Sequence, residues 1–245
     1  MFALEYASWF DFLLPGLNRL GIPIPLGGTS NHFRTEILRQ VFGWDAFNVT
    51  EDADLGLRLA QQDYRAILID SSTLEEAIPS TSGWIKQRSR WLKGYMQTAL
   101  VHLRRPILFI RAVGIWRFWG FVLFVCGAIA TSLFGPLVWC LSIVLALKGS
   151  EGVLGPYDAV VLQISDISLI AGNGLLMLLA MAGPLKRRWL HLAPYGATVF
   201  LYWLLISFAA YKALWQLSRR PHYWEKTQHG MARTGQGIRQ SFWRP

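Results

Sequence analysis

The run from Phe118 to Leu147 holds 30 residues and not one charged side chain. A helix needs about 20 apolar residues to cross a hydrocarbon core about 30 Å thick, so a run of this length commits the chain to a bilayer. Gly135-Pro136 interrupts it, and dividing it there leaves a second piece too short to cross. One long, kinked or tilted span over 118–147 is therefore expected. A second span is expected over 166–184, and a third apolar stretch runs over 194–217. Composition agrees: 53% of residues are hydrophobic and 16% charged, against about 25% charged in average soluble domains. Disordered, collagen-like and disulfide-scaffold chains are excluded. Cys126 and Cys140 both fall inside the apolar run and read as small core or lipid-facing residues rather than a disulfide or metal pair.

Charge divides the chain. Residues 1–100 carry 9 Lys and Arg against 11 Asp and Glu, whereas residues 101–245 carry 15 against 4. A basic half that is also the apolar half points to anionic lipid headgroups, not nucleic acid. Arg104, Arg105, Arg111 and Arg117 precede the first span, which places that side in the cytoplasm. Lys186, Arg187 and Arg188 return the chain to it. A third crossing would put the basic tail 218–245 outside, so the stretch 194–217 is expected to be interfacial or re-entrant.

Within a first domain over 1–81, Pro23 to Asp70 reads as compact α/β. A helix and turn on a domain surface are expected over Glu5 to Leu20, broken at Pro15-Gly16. Ile24 to Leu26 leads into Gly27-Gly28, and Thr35 caps a short helix through Val41. Asn48-Val49-Thr50 opens a helix with Leu55 and Leu59 on one face, ending near Gln62, and Tyr64 to Ile69 forms a strand. The segment 82–117 holds a helix from Ser82, its cap, to Leu103, followed by a linker. Its Lys and Arg residues and Trp84, Trp91 and Tyr95 suit the plane of a membrane interface; the alternative is a solvated helix packed on its own domain.

Two short constellations carry chemistry. Thr50-Glu51-Asp52 sits at a helix start, where the dipole and unpaired amides favour acids for structural reasons alone. The same setting keeps a carboxylate ionised, as a general base must be to take a proton from a hydroxyl. Asp52-Ala53-Asp54 also spells the metal-diphosphate pattern D-x-D, a chance match with its acids on different faces. In Gln87-Arg88-Ser89-Arg90-Trp91, Gln87, Arg90 and Trp91 share one helix face. Arg clamps phosphate, Trp stacks on a sugar ring and Gln holds hydroxyls; equally, an Arg-Trp pair anchors a helix at headgroups.

The order Thr-Glu-Asp, then Q-x-x-R-W, then membrane spans resembles the processive family 2 glycosyltransferases, the membrane synthases of cellulose, hyaluronan and other β-glucans. The resemblance extends through Pro25 to Arg34, Glu75-Glu76-Ala77, Trp91 to Tyr95 and Tyr223 to Gly230, and is greatest to the bacterial β-glucan and exopolysaccharide branch. It implies an α/β fold plus membrane α-helices: the C-terminal part of a GT-A-type glycosyltransferase domain, followed by interfacial and transmembrane helices. It implies a multi-pass protein of the bacterial inner membrane with its catalytic part cytoplasmic. By that resemblance Asp52, beside Glu51, is the general base toward the acceptor hydroxyl. Gln87, Arg90 and Trp91 hold the acceptor end and the nucleotide diphosphate, and Gly27, Gly28 and Thr29 border the acceptor site. Trp224, Lys226 and Thr227 resemble a cytoplasmic gating segment.

Family members also carry a nucleotide-binding half with the metal-binding D-x-D and a uridine pocket, which this stretch of sequence resembles nowhere. Mg2+ or Mn2+ is implied, with ligands outside this chain, as are a nucleotide sugar (a UDP-sugar), a polysaccharide acceptor, the bilayer, and a separate N-terminal half or synthase subunit. Transfer of hexose with inversion is the expected activity. The rival expectation is a non-enzymatic membrane subunit or inactive remnant associated with a synthase.

Overall fold

In a computed structural model describing residues 1–148 and 156–226, the chain is helical almost throughout. Helices α1 (Phe2–Ser8) and α2 (Leu14–Arg19) are joined by a π-turn over Trp9–Leu13. Then come α3 (Thr35–Gln40), α4 (Glu51–Gln61), α5 (Thr81–Leu103), α6 (Pro106–Val113) and α7 (Ile115–Phe121). A second π-turn over Val122–Cys126 leads into α8 (Gly127–Lys148). After it come α9 (Pro156–Lys186) and a 3-10 turn over Ala193–Thr198 that opens α10 (Val199–Arg219).

Several sequence expectations need correction. Among the described residues no β-strand forms, and Tyr64 to Ile69 is irregular backbone. A strand is stable only when a neighbour pairs its backbone groups; among the described residues no backbone hydrogen bond pairs this segment with a neighbour, and Ile67 and Ile69 stand exposed. Pro15-Gly16 does not end the first helix. The π-turn absorbs the missing amide, and Lys186 Nζ reaches the Asp11 carbonyl at 3.3 Å. Nor is that helix a surface element: Ser8 Oγ donates to Leu179 O at 3.1 Å, and a Cβ on Gly183 would stand 2.7 Å from Ser8 N. Arg187 grips Asp11 with two bonds of 2.5 and 2.9 Å, fastening α1 to the end of α9.

Helix α5 is the axis of the molecule. Ser80, not Ser82, caps it, accepting from Gly83 N at 3.1 Å. Three of its sides are covered by other elements. Leu92 and Met96 pack on Ala209, Ala210 and Ala213 of α10, small residues that let the two backbones approach. Tyr95, Ala99 and Leu103 meet Phe109, Val113, Phe118 and Phe121. Trp84 meets Val199 and Tyr202, donating from its indole to Tyr202 Oη at 3.0 Å. Exposed apolar side chains continue from the last turns of α5, at Leu100 and Val101, into α6 and α7, at Ile107, Leu108, Ile115, Trp116 and Trp119.

Three helical stretches are long and apolar enough to cross a membrane: Ile115–Leu145, Val160–Lys186 and Ala193–Arg219. The first runs unbroken through Pro136. Ser142 Oγ donates to Asp166 Oδ1 at 2.8 Å, pairing the end of α8 with the start of α9 as an antiparallel hairpin. The third stretch, expected to be interfacial or re-entrant, meets the same criteria of length and composition as the other two. It is also the most internally packed of the three. Its first turn touches Met177 and Ala180 near the end of α9, and its later turns touch Ile129 and Leu133 near the start of α8.

Candidate active site

The start of α4 is stitched to α5 before any catalytic side chain is placed. Asn48 Nδ2 donates to Thr98 Oγ1 at 2.9 Å, its Oδ1 accepts from Thr50 N at 3.0 Å, and Val49 N donates to Gln97 Oε1 at 3.1 Å. One turn further, Asp54 is buried and spends both oxygens. Oδ2 takes Arg58 Nε at 2.7 Å and Oδ1 takes His102 Nε2 at 2.8 Å. With the His102 proton on Nε2, its Nδ1 accepts from Gln61 Nε2 at 2.9 Å. Burial alone would raise the Asp54 pKa; the bonds from His102 and Arg58 outweigh it and hold the carboxyl below its ordinary value.

Asp52 is left facing the opposite problem. It is half-buried, its Oδ1 accepts Ala53 N at 2.8 Å, and it forms no ion pair among the described residues. A Cβ built on Gly28 would stand 3.4 Å from Asp52 Oδ2, so the loop at Gly28 forms one wall beside this carboxylate. Burial raises its pKa; backbone amides and the more distant Arg90 charge oppose that, and Glu51 adds to it. A carboxylate with a raised pKa and no cation in contact is suited to accept a proton.

Helix α5 presents its motif on two sides. Arg88 faces inward, pairing with Glu5 and stacking on Trp91 with 4.4 Å from guanidinium carbon to ring centre. Gln87 is buried and its Oε1 has no partner. Arg90 is half-buried, which lowers its pKa against the raising effect of Glu51, Asp52 and Glu225, so it shares one field with the α4 acids. Lys93 is fully buried and its pKa is lowered by that burial.

The segment Pro221 to Lys226 folds back along α5 as a strap. Gln97 Nε2 donates to Pro221 O at 3.0 Å, Lys93 Nζ to Tyr223 O, and Arg90 Nη1 to Glu225 O at 3.3 Å. Positions 90, 93 and 97 share a helix face and engage alternate carbonyls of the strap. Trp224 lies over the Arg90 guanidinium at 4.9 Å, and Glu225 is anchored by Lys212 and Gln216.

The structure therefore brings Gly28, Glu51, Asp52, Arg90 and Trp224 into one neighbourhood. Gly27 and Thr29 sit on the exposed loop beside it, where Thr29 Oγ1 donates to Glu75 and Ser30 bonds Thr73 at 2.5 Å. Lys226 is exposed. Thr227 lies outside the described residues. Sequence reasoning missed Asp54 with His102, Gly94 and Lys93; the i,i+4 spacing of Asp54 and Arg58 was the one visible signal of the first. No group of three His, Cys, Asp or Glu side chains converges among the described residues. With Asp54 committed to Arg58 and His102, these residues do not fit a divalent-cation site, and no step is drawn through one.

Residues 1–215 match the family described as glycosyl transferase family group 2. The chain belongs to that family. No curated protein and no solved structure matches it. As a family 2 glycosyltransferase it uses a nucleotide sugar and an acceptor, and its apolar helices bring it into contact with lipid.

Proposed function

We propose that this chain forms the acceptor side of a processive membrane glycosyltransferase. It transfers hexose from a nucleotide sugar, such as a UDP-sugar, to a growing β-glucan or related exopolysaccharide, in the bacterial inner membrane. Asp52 takes the proton from the acceptor hydroxyl, and that oxygen attacks the anomeric carbon in line with the departing nucleoside diphosphate, inverting configuration. Arg90 places positive charge toward the leaving diphosphate. Gln87 and Trp91 hold the acceptor end. The α/β nucleotide-binding half comes from the same or a separate polypeptide. Helix α10 lies along the cytoplasmic membrane face, because both its ends touch the base of the α8–α9 hairpin.

The observation that carries the reading is the isolation of Asp52 from any cation in contact, on a helix whose neighbouring acid is locked away. The test is to co-express the chain with a family 2 nucleotide-binding half, purify the complex in nanodiscs, and follow nucleotide release and the anomeric configuration of the product. Release with an inverted linkage supports the reading. Retained configuration, or hydrolysis of donor without transfer, contradicts it.

A further inference from the structure

An open cavity of about 340 Å³ lies between the loop that precedes α4 and the strap. Trp44, Asp45, Phe47, Glu51, His222 and Trp224 line it. Glu51 and Trp224 adjoin the site already described, but Trp44, Asp45, Phe47 and His222 take no part in the transfer step or the diphosphate clamp. Its aromatic rings are unusually bare: Phe47 is 72% exposed, Trp224 52% and Trp44 49%. The rings are nonetheless held in place. His222 meets Phe47 edge-on at 5.9 Å, Trp44 meets Phe33 edge-on at 5.8 Å, and Phe47 N donates to Asp45 Oδ1 at 2.9 Å. Trp224 is fixed by its contact with Arg90.

Fixed aromatic faces beside carboxylates match one ligand chemistry well. A pyranose has an apolar C–H face that stacks on such rings and hydroxyls that donate to carboxylates. Asp45 keeps its second oxygen available, and the Glu51 carboxylate hydrogen-bonds to no described residue. Two acids at the rim repel a phosphate, so the ligand is neither the nucleotide nor its diphosphate. The volume is at the small end of ordinary ligand clefts, which run from about 300 Å³. A small quaternary ammonium ion would also like aromatic faces and acids, but an open trough gives it no enclosing cage.

We propose that this cavity binds a neutral sugar unit of the acceptor saccharide, apart from the point of transfer at Asp52. This rests on the glycosyltransferase reading above. It makes the strap part of the acceptor grip, since His222 and Trp224 supply half of the rings.

The test is calorimetric titration of the full chain in nanodiscs with cellotetraose, laminaritetraose and choline chloride, on the parent and on Phe47→Ala, Trp44→Ala and Asp52→Asn. Each ring variant is expected to weaken binding of a tetrasaccharide about tenfold, the equivalent of one well-buried contact, with its melting temperature unchanged. Asp52→Asn is expected to bind the tetrasaccharide as the parent does. A melting temperature lowered in Trp44→Ala leaves Phe47→Ala, whose ring is mostly in solvent, as the deciding variant. Absence of tetrasaccharide binding, unchanged affinity in Phe47→Ala, or binding of choline in its place overturns the proposal. Failure of Asp52→Asn to stop transfer would instead strike the base assignment and leave this result standing.

Discussion

Thr50 at the head of α4 rests directly on Gly94 of α5: a Cβ built on Gly94 would stand 2.0 Å from Thr50 Oγ1 and 2.5 Å from its methyl carbon. The residue before Glu51-Asp52 and the residue three beyond Trp91 are thus one contact. It sets the distance between the helix that carries the proposed base and the helix that carries Arg90.

Gly94→Ala should push α4 off α5. Overpacking a tight contact costs about 1–3 kcal/mol, and the displaced Asp52 should lower turnover more than stability. Thermal unfolding in detergent and nucleotide release, measured on the same preparation, check this. A variant with parental turnover would show that the Thr50–Gly94 contact does not position the site.

Asp52 and Asp54 should respond to neutralisation with opposite signs. The folded pKa of Asp54 is depressed, so its contribution to stability is present above the unfolded value of about 3.9 and is lost as pH falls through the lower folded value. The folded pKa of Asp52 is raised, so stability falls as pH climbs from the unfolded value through the folded one. At pH 7, Asp54→Asn should lower the melting temperature and Asp52→Asn should leave it equal or raise it. Melting curves between pH 3 and pH 7 for both variants test the pair of signs. A lower melting temperature for Asp52→Asn at pH 7 would contradict the environment described for it.

Helix positions were legible in the sequence because they rest on local periodicity. Leu55 and Leu59 marked α4, and the uncharged run marked α7 to α8. The strand at Tyr64 to Ile69 was misread because β-propensity describes a residue that fits a paired surface, and pairing is not a local property. The buried partners of α5 were hidden for a related reason. Lys and Arg on several faces look like a solvated or interfacial helix until Arg88 finds Glu5 and Lys93 finds the Tyr223 carbonyl, each many residues away in the chain. Asp52, Arg90 and Trp224 could be nominated from spacing and resemblance. The strap that unites them could not, because it depends on where α10 ends.

The side of the membrane reached by the tail is open to direct measurement. Single cysteines at Ser150 and Gln236, with Cys126 and Cys140 replaced, should label from opposite sides. Ser150 should react with an impermeant maleimide in intact cells and Gln236 only after lysis, as expected if α10 lies along the cytoplasmic face. Labelling of Gln236 in intact cells would mean that α10 crosses, and would separate the strap from a cytoplasmic site.

Glu225 should matter through the strap. Burial would raise its pKa, but the bonds from Lys212 and Gln216 prevail and hold it low. Glu225→Gln should loosen the strap and raise the KM for donor or acceptor severalfold while kcat changes less. Limited proteolysis after Arg219 should quicken in parallel. Unchanged proteolysis and KM would show that the strap is held without this anchor.

The central claim is that Asp52 removes the acceptor proton. The measurement is the transfer rate of Asp52→Asn in the complex with a nucleotide-binding half, alongside its affinity for the nucleotide sugar by calorimetry. Loss of general-base action costs about 10²–10⁴ in rate. A fall of that size with donor affinity preserved is the predicted result; transfer at near the parental rate would contradict the assignment.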